Sequence, residues 1–125
     1  MDREWAENDL SNARHTLTME ANCPFDTICF HAQQTAEKYI KAFLVFHAVD
    51  FPKTHDLALL SKLALSVGLQ ELTITDVQPL NRYIVEARYP GDWEPIDRAE
   101  AEKAVASAVK ARSAVRKSLP KRDIS

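Results

Sequence analysis

The side chains best able to do chemistry fall in three stretches. His31, Gln34, Lys38 and Lys41 are spaced three, four and three residues apart, so a helix carries them on one face. An imidazole, an amide and two ammonium groups in a row offer charge-assisted donors to a phosphate and an amide edge to a base. Lys53 and the pair His55-Asp56 come next, followed by Tyr83, Arg88 and Tyr89. Together these supply cations (Lys38, Lys41, Lys53, Arg88), switchable donors (His31, His55) and aromatic faces (Tyr83, Tyr89). That inventory fits a nucleotide or RNA pocket. Taken singly, the same residues have plainer readings. His31 is a satisfied polar group, His55-Asp56 a helix-start arrangement, and Trp5 and Trp93 packing groups. Glu37 and Lys41 make an i, i+4 pair that is worth about 0.2–0.5 kcal/mol on a surface.

Other chemistries lack their residues. No glutamate is followed three residues later by histidine, as a di-iron bundle requires. His15, His31, His47 and His55 do not include two histidines four apart, as a helical zinc protease requires. Neither glycine precedes a serine and no Asp-x-Asp occurs, so the chain is not itself a nucleotidyltransferase. Cys29 lies two residues from His31, which on a helix points elsewhere, so the thiol has no activating cation. Two glycines, Gly68 and Gly91, cannot build a Gly-rich phosphate loop. The expectation is no metal, no cofactor and no catalytic set.

The elements that must position the polar row are helices divided by proline and glycine. A first helix is expected over about 2–20, with Ala6, Leu10, Ala13, Leu17 and Ala21 as its apolar stripe and Asp2, Glu4 and Glu7 in its opening turns, where the macrodipole favours acids. After Pro24, Asp26 can cap a second helix running to about 47. Ile28, Phe30, Ala32, Ala36, Tyr39, Ile40, Phe43, Leu44 and Phe46 surround most of its circumference, so it is read as the central helix, with surplus apolar surface for a dimer. Thr54 can cap a third helix over 55–67, closed by Gly68. A fourth is expected over about 75–89, with Pro79 in its first turns. A fifth starts near Asp97, where Asp97 and Glu100 have capping-box spacing, and runs to Pro120. Lys110, Arg112, Arg116, Lys117, Lys121 and Arg122 either complement its dipole or form a phosphate-binding tail. The fold class is therefore all-α, an up-and-down bundle of four to five helices.

Size and composition agree. The 125 residues suit one domain, 1–125, with a basic tail from about 117. Hydrophobic residues make up 46%, enough for one core. With 16 basic and 18 acidic side chains, the net charge of −2 excludes a globally basic nucleic-acid coat. No run of about 18 apolar residues is present, and the charged N-terminus lacks the apolar segment of a signal peptide. Cys23 and Cys29 form neither a zinc set nor a disulfide framework, so reduced thiols and a cytoplasmic location are expected.

The segment from Cys29 to Leu44, with its His31-Ala32-Gln33-Gln34-Thr35-Ala36-Glu37-Lys38-Tyr39 core, resembles the signature helix of HEPN (higher eukaryotes and prokaryotes nucleotide-binding) domains. Lys53-Thr54-His55-Asp56-Leu57 with Leu60, and Tyr83 with Arg88-Tyr89-Pro90, resemble the family's next two blocks. The resemblance extends over nearly the whole chain. It implies a bundle of four or five helices that forms homodimers. In prokaryotes such domains are often encoded beside a minimal nucleotidyltransferase, as a two-component or toxin–antitoxin pair. Many members are metal-independent ribonucleases using an arginine followed four to six residues later by histidine. None of the eight arginines here has a histidine at that distance, so the ribonuclease pair does not carry over.

The expected function is thus nucleotide binding by a partner of a separately encoded minimal nucleotidyltransferase, through His31, Gln34, Lys38, Lys41, His55, Tyr83 and Arg88. Lys38, Lys41 and Arg88 would meet phosphates; His31, His55 and Tyr83 would position base or sugar. Two alternatives stand beside it: a divergent ribonuclease pairing His55 with Arg88 on an RNA substrate, and a pure protein-interaction module.

Overall fold

The computed structural model describes residues 2–18, 24–84 and 96–119, with side chains from Ala6 onward in the first of these stretches. Every regular element in them is helical: α1 (Asp2–Leu17), α2 (Phe25–Phe46), α3 (Leu57–Ser66), a single turn α4 (Ile74–Val77) running into a 3-10 helix (Gln78–Tyr83), and α5 (Arg98–Ser118). The expected all-α bundle is what the chain forms. Among the described residues no helix is long and apolar enough to cross a membrane.

α2 is the axis of the bundle. Its buried residues include Ile28, Ala32, Ala36, Tyr39, Ile40, Phe43 and Leu44, which point to more than one side of the helix. α1 and α5 cover most of it, and α3 and the 3-10 helix cover the rest. Directions follow from the ties between helices. Ala6, Glu7 and Asp9 of α1 meet Thr35, Tyr39 and Lys38 of α2, while Leu17 and Glu7 meet Arg98 and Arg112 of α5. Arg98 also stacks on Phe25, and Tyr39 shares Glu7 with Arg112. Hence α1 runs antiparallel to both other long helices, and α2 and α5 run parallel. Ala101, Ala104, Ala108, Ala111 and Ala114 form the buried stripe of α5 and let it approach closely. The Arg98 guanidinium donates to the Leu17 carbonyl at 2.7 Å and lies 5.3 Å from the Phe25 ring centroid.

Several helix ends differ from expectation. α2 starts one residue before Asp26, with Pro24 at its N-cap and no capping side chain, so Asp26 sits inside the first turn, where the macrodipole still favours it. Asp56, not Thr54, caps α3, accepting from Ala58 N–H at 3.0 Å; Thr54 accepts from the Asp56 N–H instead. The fourth helix is not one continuous α-helix. Pro79 has no N–H for the Thr75 carbonyl, and its ring crowds that carbonyl, so the chain tightens into a 3-10 helix after Val77. Only half of the capping box at α5 forms. Asp97 accepts from Glu100 N–H, but the Glu100 carboxylate turns to Tyr83 and Arg82. The basic residues of α5 do more than face a dipole: Lys110 binds Asp76 and Arg112 binds Glu7.

Two helices end alike. After α2, the Val49 N–H reaches Leu44 O and the Ala48 N–H reaches Val45 O; after α3, the Leu69 N–H reaches Ala64 O and the Gly68 N–H reaches Leu65 O. This is the Schellman pattern, which needs a residue with positive φ. Gly68 supplies it at φ 108°, as expected, and Ala48 supplies it at φ 56°, at a steric cost glycine avoids.

Candidate functional site

The α2 row forms as its spacing predicts, and two carboxylates hold it. Asp9 of α1 takes two groups that lie two turns apart on α2. His31 Nδ1 lies 2.7 Å from Asp9 Oδ1, and Lys38 Nζ lies 2.5 Å from Asp9 Oδ2. Between them the Thr35 hydroxyl lies 2.8 Å from the His31 carbonyl of its own helix and 3.3 Å from the Ala6 carbonyl of α1.

Glu37 organises the other half. It is 5% exposed and accepts from Gln33 Nε2 (2.9 Å), Lys41 Nζ (3.0 Å) and His55 Nδ1 (2.9 Å). Gln33 in turn accepts from Gln34 Nε2 at 2.6 Å, which links the row's amide to the same cluster. Burial pushes the Glu37 carboxyl up, but the hydrogen bonds from Gln33, Lys41 and His55 outweigh it and hold the group below the ordinary carboxylate range. A carboxylate can only accept, so both imidazoles carry a proton on Nδ1. Lys41 also lies 5.8 Å from the centroid of the Phe51 ring.

The row is neither splayed into water nor sealed. The side chains of His31, Lys38 and Lys41 are about a fifth exposed (23, 21 and 20%), and that of His55 is 38% exposed. The two ammonium groups of the row face two carboxylates. The local field is therefore weaker than four donors alone suggest.

Tyr83 does not join this group. Its hydroxyl donates to Glu100 of α5, and it lies near Cys29, which is on the opposite face of α2 from Lys38. The ring is 4% exposed and offers no open stacking face. Burial and the neighbouring Glu100 drive the Tyr83 hydroxyl far above its ordinary pKa. Burial likewise pushes the Cys29 thiol up to about 11, which leaves it unreactive. Lys53 is exposed beside the loop. Arg88, Tyr89, Pro90, Trp93, Cys23, Lys121 and Arg122 lie outside the described residues.

Residue types and spacing alone did not reveal Asp9 or Gln33. Asp9 lies between Ala6 and Leu10, at the edge of the apolar stripe of α1, where an acid must face something cationic across the helix contact. Glu7, in the opening turns of α1, also accepts from Tyr39 (2.6 Å) and Arg112 (2.8 Å), joining all three long helices. Burial and Glu7 push the Tyr39 hydroxyl up to about 12. Among the described residues no three His, Cys, Asp or Glu side chains group as a metal site would need.

The HEPN domain family model matches residues 3–118, nearly the length of the chain. The chain belongs to the HEPN family. No curated protein matches it in sequence. Among solved structures it is similar to that of ST0689, described as an archaeal HEPN homologue, with a TM-score of 0.71 and 21% identity, covering 94% of this chain and 93% of that one. At that identity the likeness speaks for the HEPN fold. The polar row of this HEPN chain stands on its own geometry.

Proposed function

We propose that this HEPN chain binds a nucleotide along α2 and acts, as a homodimer, beside a separately encoded minimal nucleotidyltransferase. The observation that carries the binding is the pre-set row: Lys38 and His31 fixed by Asp9, Lys41 and His55 fixed by Glu37, each still reaching solvent. Donors immobilised before the ligand arrives lose little side-chain entropy on binding. The ammonium groups address phosphate oxygens, and Gln34 and the histidines address base or sugar. The partnership is supported by family membership rather than by any residue described here.

The test is titration calorimetry with ATP, GTP, CTP and UTP on protein whose dimer is verified by sedimentation. Saturable heat for at least one nucleotide, lost in the Lys38→Ala/Lys41→Ala double variant, is expected. A folded dimer that gives no heat with any of the four at millimolar concentration overturns the reading.

One observation favours a second reading. Every cation of the row already lies on a carboxylate, so the network is complete without a guest. A self-satisfied network suits a surface that a protein partner covers. Co-expression with the product of the adjacent gene then yields a complex while calorimetry with nucleotides stays silent.

A further inference from the structure

An open groove of about 520 Å³ lies between the 75–83 segment and α5, apart from the α2 row. We propose that this groove is a second binding site, for a small amphipathic anion: an apolar body no longer than about 15 Å carrying one carboxylate, sulfonate or phosphate-ester charge.

The length follows from two ion pairs that cross the groove. Arg82 of the 3-10 helix meets Glu100 of α5 at 2.7 Å, and Asp76 of α4 meets Lys110 of α5 at 2.8 Å. Glu100 and Lys110 are ten residues apart on α5, about 15 Å at the α-helical rise. The pairs close the two ends, so an extended peptide would have to break them to pass through, whereas a compact molecule would not. The volume of the groove is in the range of small-molecule sites, about 300–1,000 Å³. Pro79, Leu80 and Ala104 give the walls between the pairs their apolar character.

The charge follows from the same inventory. Three cations line the groove (Arg82, Lys103, Lys110) against two carboxylates (Asp76, Glu100), a surplus of one in a chain of net charge −2. The surplus belongs to Lys103, which makes no hydrogen bond or ion pair with any described residue. Lys103 and Ser107 stand one turn apart on α5, between the two ion pairs, so an anionic head meets an ammonium and a hydroxyl there while its body lies on Leu80 and Ala104. A dianion would leave one charge uncompensated over an apolar wall, which disfavours it.

The experiment uses the full chain and the fluorescent probe 1-anilinonaphthalene-8-sulfonate, with uncharged N-phenyl-1-naphthylamine as its counterpart. The wild type should bind the sulfonate saturably with a rise in fluorescence. Lys103→Glu should weaken that binding at least tenfold while changing the uncharged probe less than threefold. Ser107→Phe, which fills the groove, should weaken both probes at least tenfold. Circular dichroism checks that each variant is folded, and the Lys38→Ala/Lys41→Ala variant should bind both probes like the wild type. Absence of sulfonate binding in the wild type overturns the proposal. So does equal binding in either folded groove variant, because the probe then sits elsewhere.

Discussion

Glu37 shows what one buried acid can organise. Its carboxylate holds Gln33 and Lys41 of α2 and His55 of the loop before α3 together. Replacing it with alanine strands an ammonium and an imidazole that are partly able to rehydrate, so the expected loss is about 2 kcal/mol, below the range for a fully buried pair. Urea unfolding of Glu37→Ala measures it. The sign of the pH dependence is fixed by the same environment. A carboxyl held below its ordinary value contributes stability that is fully present above about pH 4.3 and disappears as pH falls through the folded value. Glu7 and Asp76 are shifted the same way, through Arg112 and Tyr39 for the first and Lys110 and Thr73 for the second, each against an opposing burial effect. Stability should therefore decline steadily from about pH 5 to pH 3, and less steeply in Glu37→Gln. A flat wild-type profile over that interval would contradict the assignment.

At the scale of elements, the ends of helices are the informative places. Ala48 takes the positive-φ position of a Schellman turn that glycine takes after α3. Ala48→Gly relieves a steric cost of about 1 kcal/mol and loses part of that gain to unfolded-chain entropy. A net stabilisation of about 0.5 kcal/mol is expected, read as a higher melting temperature; a decrease would show that the αL position is not strained. The long helices were legible because apolar residues recur every three or four positions and α2 is greasy on several sides. The row His31, Gln34, Lys38, Lys41 was legible for the same reason. The 74–83 segment was not, because periodicity alone does not say whether Pro79 lies in a first turn or beyond it. Asp9 could not be joined to His31 and Lys38 without knowing that α1 lies antiparallel against α2, and Tyr83 could not be turned toward Glu100 without the 3-10 helix. The caps differ by a residue or two because Pro24 takes the N-cap of α2 with no capping side chain, and because Thr54 accepts from the Asp56 N–H while Asp56 accepts from the Ala58 N–H.

For the whole molecule, charge and burial are distributed unevenly. The α2 row balances its own charge, whereas the groove on α5 carries a local surplus. Val45 and Phe46, at the end of α2, and Leu65 on α3 remain exposed. Three helices converge on Glu7, so the bundle is tied at one end of α1 by a tyrosine and an arginine and at the other by Arg98. Arg98 grips Leu17 and Phe25 at once, one on either side of the first interhelical connection. A noncovalent staple from the start of α5 thus bridges the same two helix ends that the covalent connection joins. Two synthetic pieces, 1–21 and 22–125, should recombine on mixing into a helical complex resembling the uncut chain, and Arg98→Ala should impair that reassembly more than it impairs folding of the intact polypeptide. Circular dichroism of the mixture decides it.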